Sequence, residues 1–165
     1  SPFEYSLYQK RYAPQASIWP FKLVFYPDLI KAILANVSVD GIKAVIFEPY
    51  MTPLSLFPAD LKGHVNECLA KIEGVIKGLR GINIVSCEYD YPPIGYEQLW
   101  MINPIVAIEM AKNILETKKA MGDVIITMRT STCMLLNVAK ELYEIDIRIY
   151  DYADFASGLL LGAEI

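Results

Sequence analysis

Short apolar runs alternating with longer amphipathic stretches set the plan of this chain. Lys22-Leu23-Val24-Phe25-Tyr26 predicts a strand, and residues 27–37 a short helix opened by Pro27 in its first turn. Lys43-Ala44-Val45-Ile46-Phe47-Glu48 predicts a second strand, followed by a loop carrying Pro49, Pro53 and Pro58. The clearest pattern spans residues 60–81. Its apolar positions Leu61, Val65, Cys68, Leu69, Ile72, Val75, Ile76 and Leu79 recur at three and four residues, with Asp60 placed as cap and Gly81 as terminator. Strand 82–85 follows, then a proline-stiffened loop over 89–100. Asn103 is placed to cap a helix with Pro104 in its first position and Gly122 at its end, and the stripe Ile105, Ile108, Ala111, Ile114 and Leu115 faces a sheet. Strand 123–127, helix 133–143, strand 145–150 and an apolar helix over 152–161 complete the pattern. Strands alternating with helices predict an α/β fold with a largely parallel, helix-covered sheet.

Residues 1–20 break this rhythm. Tyr5, Tyr8, Tyr12 and Trp19 are interleaved with Pro2, Pro14 and Pro20, and no period of 2 or 3.6 persists, so the segment reads as an extended arm ahead of one domain over 21–165. The full 165 residues suit a single core. A hydrophobic content of 54% and a mean hydropathy of +0.30 are high for such a domain, yet no run reaches the ~18 apolar residues of a membrane span. Nothing resembles an export signal, and three cysteines without close spacing suit a reduced, cytoplasmic setting. The apolar excess points instead to partner contacts, through the arm and the last helix, and leaves peripheral membrane association open. A net charge of −4 and a pI near 5.0 exclude a basic nucleic-acid footprint.

Ligands of open α/β sheets sit beyond the carboxyl ends of the strands, the edge to which Cys87 and Cys133 are expected to belong. Two readings of these cysteines stand. As thiols facing one site they are candidate catalytic groups, with Cys133 activated by a helix N-terminus and by Arg129; as small hydrophobes they are packing residues. Cys68, on the long helix's apolar stripe, belongs to the core, and His64, on the same helix, to the surface. Glu48, Glu88, Asp90 and Glu97 lie at the same edge, as solvated carboxylates or acid/base groups. Arg129-Thr130-Ser131-Thr132 either binds a small anion or supplies a helix cap in Ser131 or Thr132. The candidate ligand-binding residues are therefore Glu88, Arg129, Thr130 and Ser131. A zinc site using both thiols with Glu88 or His64 falls short of well-placed ligands, so no metal is expected. No nucleophile elbow, phosphate-cradling loop or dinucleotide fingerprint occurs.

The order of parts over about residues 42–165 resembles a CCG domain, the module found in pairs in the B subunit of heterodisulfide reductase and in related succinate dehydrogenase and glycolate oxidase subunits. The resemblance rests on Ser86-Cys87-Glu88 followed by Pro92-Pro93-Ile94-Gly95-Tyr96-Glu97, on the run 107–127, and on Ile147-Arg148-Ile149-Tyr150 through Ala156-Ser157-Gly158-Leu159-Leu160-Leu161-Gly162. It implies loops that hold a noncubane iron–sulfur cluster through thiolates. Carried over position by position, the first of these falls on Pro49 or Tyr50, the Cys-Cys-Gly triplet on Ser86, Cys87 and Glu88, and the Cys-x-x-Cys on Thr130 and Cys133. A cluster normally takes about four thiolates and two remain, so no cofactor is expected. The resemblance implies a cluster-free accessory subunit contacting protein subunits of a heterodisulfide-reductase-like or succinate-dehydrogenase-like electron-transfer complex. The alternatives are thiol–disulfide or sulfur-transfer chemistry at Cys87 and Cys133, and a small-anion-binding module.

Overall fold

A computed structural model of the chain describes residues 26–34, 37–47, 59–88 and 96–162. The elements run α1 (Tyr26–Leu34), β1 (Ser38–Phe47), α2 (Ala59–Lys77), β2 (Arg80–Glu88), α3 (Tyr96–Ile102), α4 (Pro104–Lys119), β3 (Val124–Thr127), α5 (Thr130–Leu142), β4 (Arg148–Asp151) and α6 (Tyr152–Leu160). Among the described residues four strands form one sheet in the order β2-β1-β3-β4, and every pairing is parallel. The α/β class and the parallel, helix-covered sheet expected from the alternation are what this chain forms. The expected arm over 1–20, the first expected strand and the proline loop after β1 fall outside the described residues, except that Tyr26 opens α1.

Two cores lie on opposite faces of the sheet. On one, Ile42, Ala44 and Ile46 of β1 and Val124 and Ile126 of β3 pack against α1, α2 and α6. On the other, Val45, Phe47, Ile125 and Ile149 pack against α4 and α5. The central strands are thus buried on both sides, which is why Ala44-Val45-Ile46-Phe47 and Val124-Ile125-Ile126 read as unbroken apolar runs rather than alternating ones. Every position of the stripe assigned to α2, from Leu61 to Leu79, is buried.

Several boundaries differ from the sequence expectation. Helix α2 ends at Lys77, short of Gly81. Gly81 belongs to β2 instead, at φ +84, where a Cβ would lie 1.7 Å from the Val39 carbonyl oxygen. Only glycine lets β2 enter so close to β1. Gly122 has a related role, since a Cβ there would approach the Lys43 carbonyl oxygen to 2.9 Å as the chain enters β3. Residues 96–100, expected as the end of the loop, belong instead to α3, which continues to Ile102. The Asn103 cap holds as expected: its side chain accepts from the Val106 N–H at 3.3 Å, and Pro104 occupies the first turn. Ile105, however, is 73% exposed, and the buried stripe of α4 runs through Ala107, Ala111, Ile114, Leu115 and Lys118. Helix α5 starts at Thr130 rather than at Cys133, and β4 covers only Arg148–Asp151.

Candidate functional site

The strand order fixes where a ligand crevice belongs. From β1 the chain steps to β2 on one side through α2, then crosses back over β1 to β3 and β4 through α4 and α5 on the opposite face. The direction of winding therefore reverses between β1 and β3, and the carboxyl ends at Phe47 and Thr127 border the switch point. Glu88 closes β2 and Asp151 closes β4 along the same edge.

The two candidate thiols do not meet there. Cys87 lies within β2, not beyond it, and packs against the core shared with α2 and α6. Cys133 lies one turn into α5 and belongs to the core on the other face. The sheet separates them. Their placement on opposite faces comes from a bulge: Ala44 pairs with Ile84 but Val45 with Ser86, so Val85 is an extra residue and the inside–outside phase of β2 shifts after it. Of the two readings of Cys133, activation by the helix N-terminus is likewise not found. Burial pushes its thiol up to about 11, the charges of Asp151 and Asp154 push the same way, and hydrogen bonds from the Asp151 backbone and the Asn137 side chain oppose only in part. At 8% exposure and with Asn137 Nδ2 at 3.4 Å from its sulfur, Cys133 is a packing residue with a protonated thiol. Cys68 is buried at 1% in the core, as its place on the stripe requires.

Glu88 is committed to a partner the sequence did not suggest. Lys118, on the buried face of α4 and 3% exposed, places its Nζ 2.5 Å from both Glu88 carboxylate oxygens. Ser86 Oγ donates to Glu88 Oε1 at 2.8 Å, and the ammonium lies 5.6 Å from the centre of the Phe47 ring. A buried lysine is tolerated only when its charge is met, and here both oxygens of a carboxylate and a ring face meet it, while the Ser86 hydroxyl holds the carboxylate in turn. The signal was present in the helical phase: Lys118 follows Ile114 and Leu115 at four and three residues.

The segment after β3 supplies the remaining polar groups. Thr127 Oγ1 donates to the Arg129 carbonyl at 3.1 Å, fixing the turn out of β3. Arg129 is the N-cap of α5 in an extended conformation, and no side chain caps the helix, so neither Ser131 nor Thr132 fills the capping role considered for them. Thr130 Oγ1 instead donates to Asp151 Oδ2 at 3.1 Å, while Asp151 Oδ1 accepts from the Asp154 N–H and caps α6. Ser131 is half-buried. The next residue, Thr132, is buried with its hydroxyl unpartnered, as is the Tyr152 hydroxyl at the start of α6. Burial and the neighbouring Tyr26 raise the Tyr152 pKa, so it stays protonated. His64, half-buried on α2, pairs with Glu67 at 3.3 Å. Glu48 and Asp90 lie outside the described residues. Among the described residues no three His, Cys, Asp or Glu side chains converge on one point.

A second feature of the described surface is apolar. At the α3–α4 corner Trp100 is 40% exposed, Met101 80%, Ile102 82%, Ile105 73% and Val106 42%. The stretch 100–106 carries no charge. At the far end of α6, Leu161 is 87% exposed, whereas Leu159 turns into the core. No described helix is long and apolar enough to cross a membrane. Neither a family model, a curated protein nor a solved structure matches the chain.

Proposed function

We propose that this chain is a cluster-free accessory domain that works by binding another protein subunit, not by thiol chemistry. The observation that carries this is the uncharged corner from Trp100 to Val106, where five large apolar side chains remain in contact with water. Soluble monomers rarely leave such a contiguous patch uncovered, and Trp and Met are enriched where interfaces are buried. The separation of Cys87 from Cys133 by the sheet, and the protonated state of Cys133, remove support from a dithiol centre. The CCG-like order of parts makes an electron-transfer complex of the heterodisulfide-reductase or succinate-dehydrogenase type the assembly in which we place it. The C-terminal end of α6 and the arm over 1–20 are the further contacts this reading assigns.

The test is anaerobic purification from native cells followed by cross-linking and mass spectrometry. Expected are an iron–sulfur or flavin subunit as stoichiometric companion and cross-links flanking residues 100–106, with Ile102→Glu releasing the companion while melting unchanged. A solitary protein, or a companion retained fully by Ile102→Glu, refutes the reading.

A further inference from the structure

A groove of about 540 Å³ runs between α1 and α2, on the face of the sheet opposite α4 and α5. Its size lies within the range of small-molecule sites, which combine an apolar lining with a few charged groups. Here the apolar lining comes from Pro27 and Val75, both buried. The charged groups are set by helical spacing. Glu67, Lys71 and Gly74 fall on one face of α2 at i, i+4 and i+7, and Asp28 and Lys31 on one face of α1 at i and i+3, so each wall carries an acid followed by a base.

These charges are open to exchange. Lys71 Nζ reaches across to Asp28 Oδ2 at 3.1 Å, but the two side chains are 50% and 44% exposed, and an ion pair so hydrated contributes little and yields readily to other partners. Glu67 meets His64 at 3.3 Å with most of its side chain in water, and Lys31 is exposed with none of the described acids paired to it. The independent observation is Gly74. Glycine costs a helix interior more than any residue but proline, and at Gly81 and Gly122 the fold supplies the reason, a carbonyl oxygen within 2.9 Å of where a Cβ would stand. At Gly74 nothing lies within 4 Å, so what its missing side chain preserves is the groove. Gly63 of the same helix is equally open but does not line the groove, which makes it an internal control.

We propose that the groove between α1 and α2 binds a small zwitterion of the amino-acid class, its carboxylate met by Lys31 and Lys71, its ammonium by Glu67 and Asp28, and its apolar side chain by Pro27 and Val75 in the space that Gly74 leaves. The lining carries two groups of each sign, so a simple anion meets the two acids and a simple cation the two lysines, whereas a zwitterion satisfies both pairs. The site is independent of the apolar corner and stands or falls separately from the proposed accessory role.

The experiment is an amide-resolved NMR titration of the full chain with L-leucine and L-phenylalanine, and in parallel with N-acetyl-L-phenylalanine, which lacks the ammonium, and L-phenylalaninamide, which lacks the carboxylate. Expected are saturable shifts at residues 27–31 and 67–75 with the free amino acids, and a dissociation constant raised about 10-fold or more for both blocked forms. Lys31→Gln should weaken binding of the free amino acids by a similar factor. Gly74→Leu, which fills the groove, should abolish binding while melting at or above the wild-type temperature, and Gly63→Leu should leave binding unchanged, which separates lost binding from lost folding. Absence of saturable shifts in these segments with both amino acids at tens of millimolar, equal affinity for a blocked form, or binding unaltered in Lys31→Gln and Gly74→Leu overturns the proposal.

Discussion

Replacing Glu88 by Gln tests how the buried ion pair is held. The Lys118 side chain is 4% exposed and that of Glu88 25%, so the two ends of the pair face different surroundings. Removing the carboxylate charge leaves an ammonium deep in the fold without the group that holds it through both oxygens. Breaking a buried pair in this way costs about 3–5 kcal/mol in well-studied cases. Removing the cation instead, by Lys118→Met, leaves a carboxylate that water reaches and that Ser86 still contacts at 2.8 Å. Its cost should be smaller, about 1–2 kcal/mol, because methionine also retains most of the apolar stem's packing.

The expectation is thus an asymmetry. Urea unfolding should show Glu88→Gln less stable than wild type by about 3 kcal/mol, which for a domain of this size corresponds to a fall in Tm of about 6–12 °C. Lys118→Met should lose less, and the double variant should cost about 2–3 kcal/mol rather than the about 4–5 kcal/mol of the two losses added, giving a coupling energy of about 2 kcal/mol in the cycle. Glu88→Gln costing less than about 1 kcal/mol, or Lys118→Met costing more than Glu88→Gln, would show that desolvation of the lysine does not govern this contact.

Cys133, with its pKa raised to about 11, should be alkylated at neutral pH about 100-fold more slowly than a thiol at its ordinary value of 9.0, as followed by mass spectrometry of the labelled peptide. Because folding raises this pKa, the native state holds the proton more tightly. The thiol's contribution to stability is therefore complete below about pH 9 and is lost as pH climbs through about 11, and a Cys133→Ala variant should show a flatter alkaline stability profile. Mild oxidation should give no Cys87–Cys133 disulfide within one molecule, and finding that linked peptide in folded monomer would contradict the placement of the two residues on opposite faces. Gly81→Ala should destabilise by several kcal/mol, since its Cβ meets the Val39 carbonyl at a positive φ, whereas Gly74→Ala, in the interior of α2 with nothing within 4 Å, should stabilise by about 0.5–1 kcal/mol. Equal melting temperatures for the two variants would refute the close approach of β2 to β1.

The elements legible in the sequence are those whose local chemistry and tertiary environment agree. Helix α2 shows its buried face through seven apolar positions because it lies flat on the sheet, and Asn103-Pro104 marks a helix start through donors that the backbone itself leaves open. The start of α5 is not legible for the converse reason. Its first turn, Thr130-Ser131-Thr132, carries residues that equally suit a cap or a loop, and the cap position is held by Arg129, which contributes no side-chain bond. Helix α3 is not legible because Pro92-Pro93 predicts a longer irregular stretch than the chain forms, while its outward apolar residues show no burial against the sheet that a stripe would record.

The candidate site was less legible than the fold, and one residue accounts for much of the difference. Read with a strict period of two, Ile82 and Ile84 would carry Ser86 and Glu88 to their own face and turn Cys87 to the face of Cys133. The bulge at Val85 reverses this. Val85 is 38% exposed and opposes no residue of β1, so beyond it Ser86 and Glu88 turn to the α4 face and Cys87 to the α2 face. One inserted position therefore both parts the two cysteines and brings Glu88 within reach of Lys118. Nothing in Ile84-Val85-Ser86 signals it, because a parallel bulge needs no glycine and all three residues suit a strand. Its stabilisation is tertiary: with the alternate phase, the Lys118 ammonium would lose its carboxylate while Glu88 entered the apolar core beside α2 and α6. The pairing of a buried lysine on one element with a late carboxylate on another thus selects the bulged register, and the thiols' separation follows from an electrostatic requirement 30 residues away in the chain.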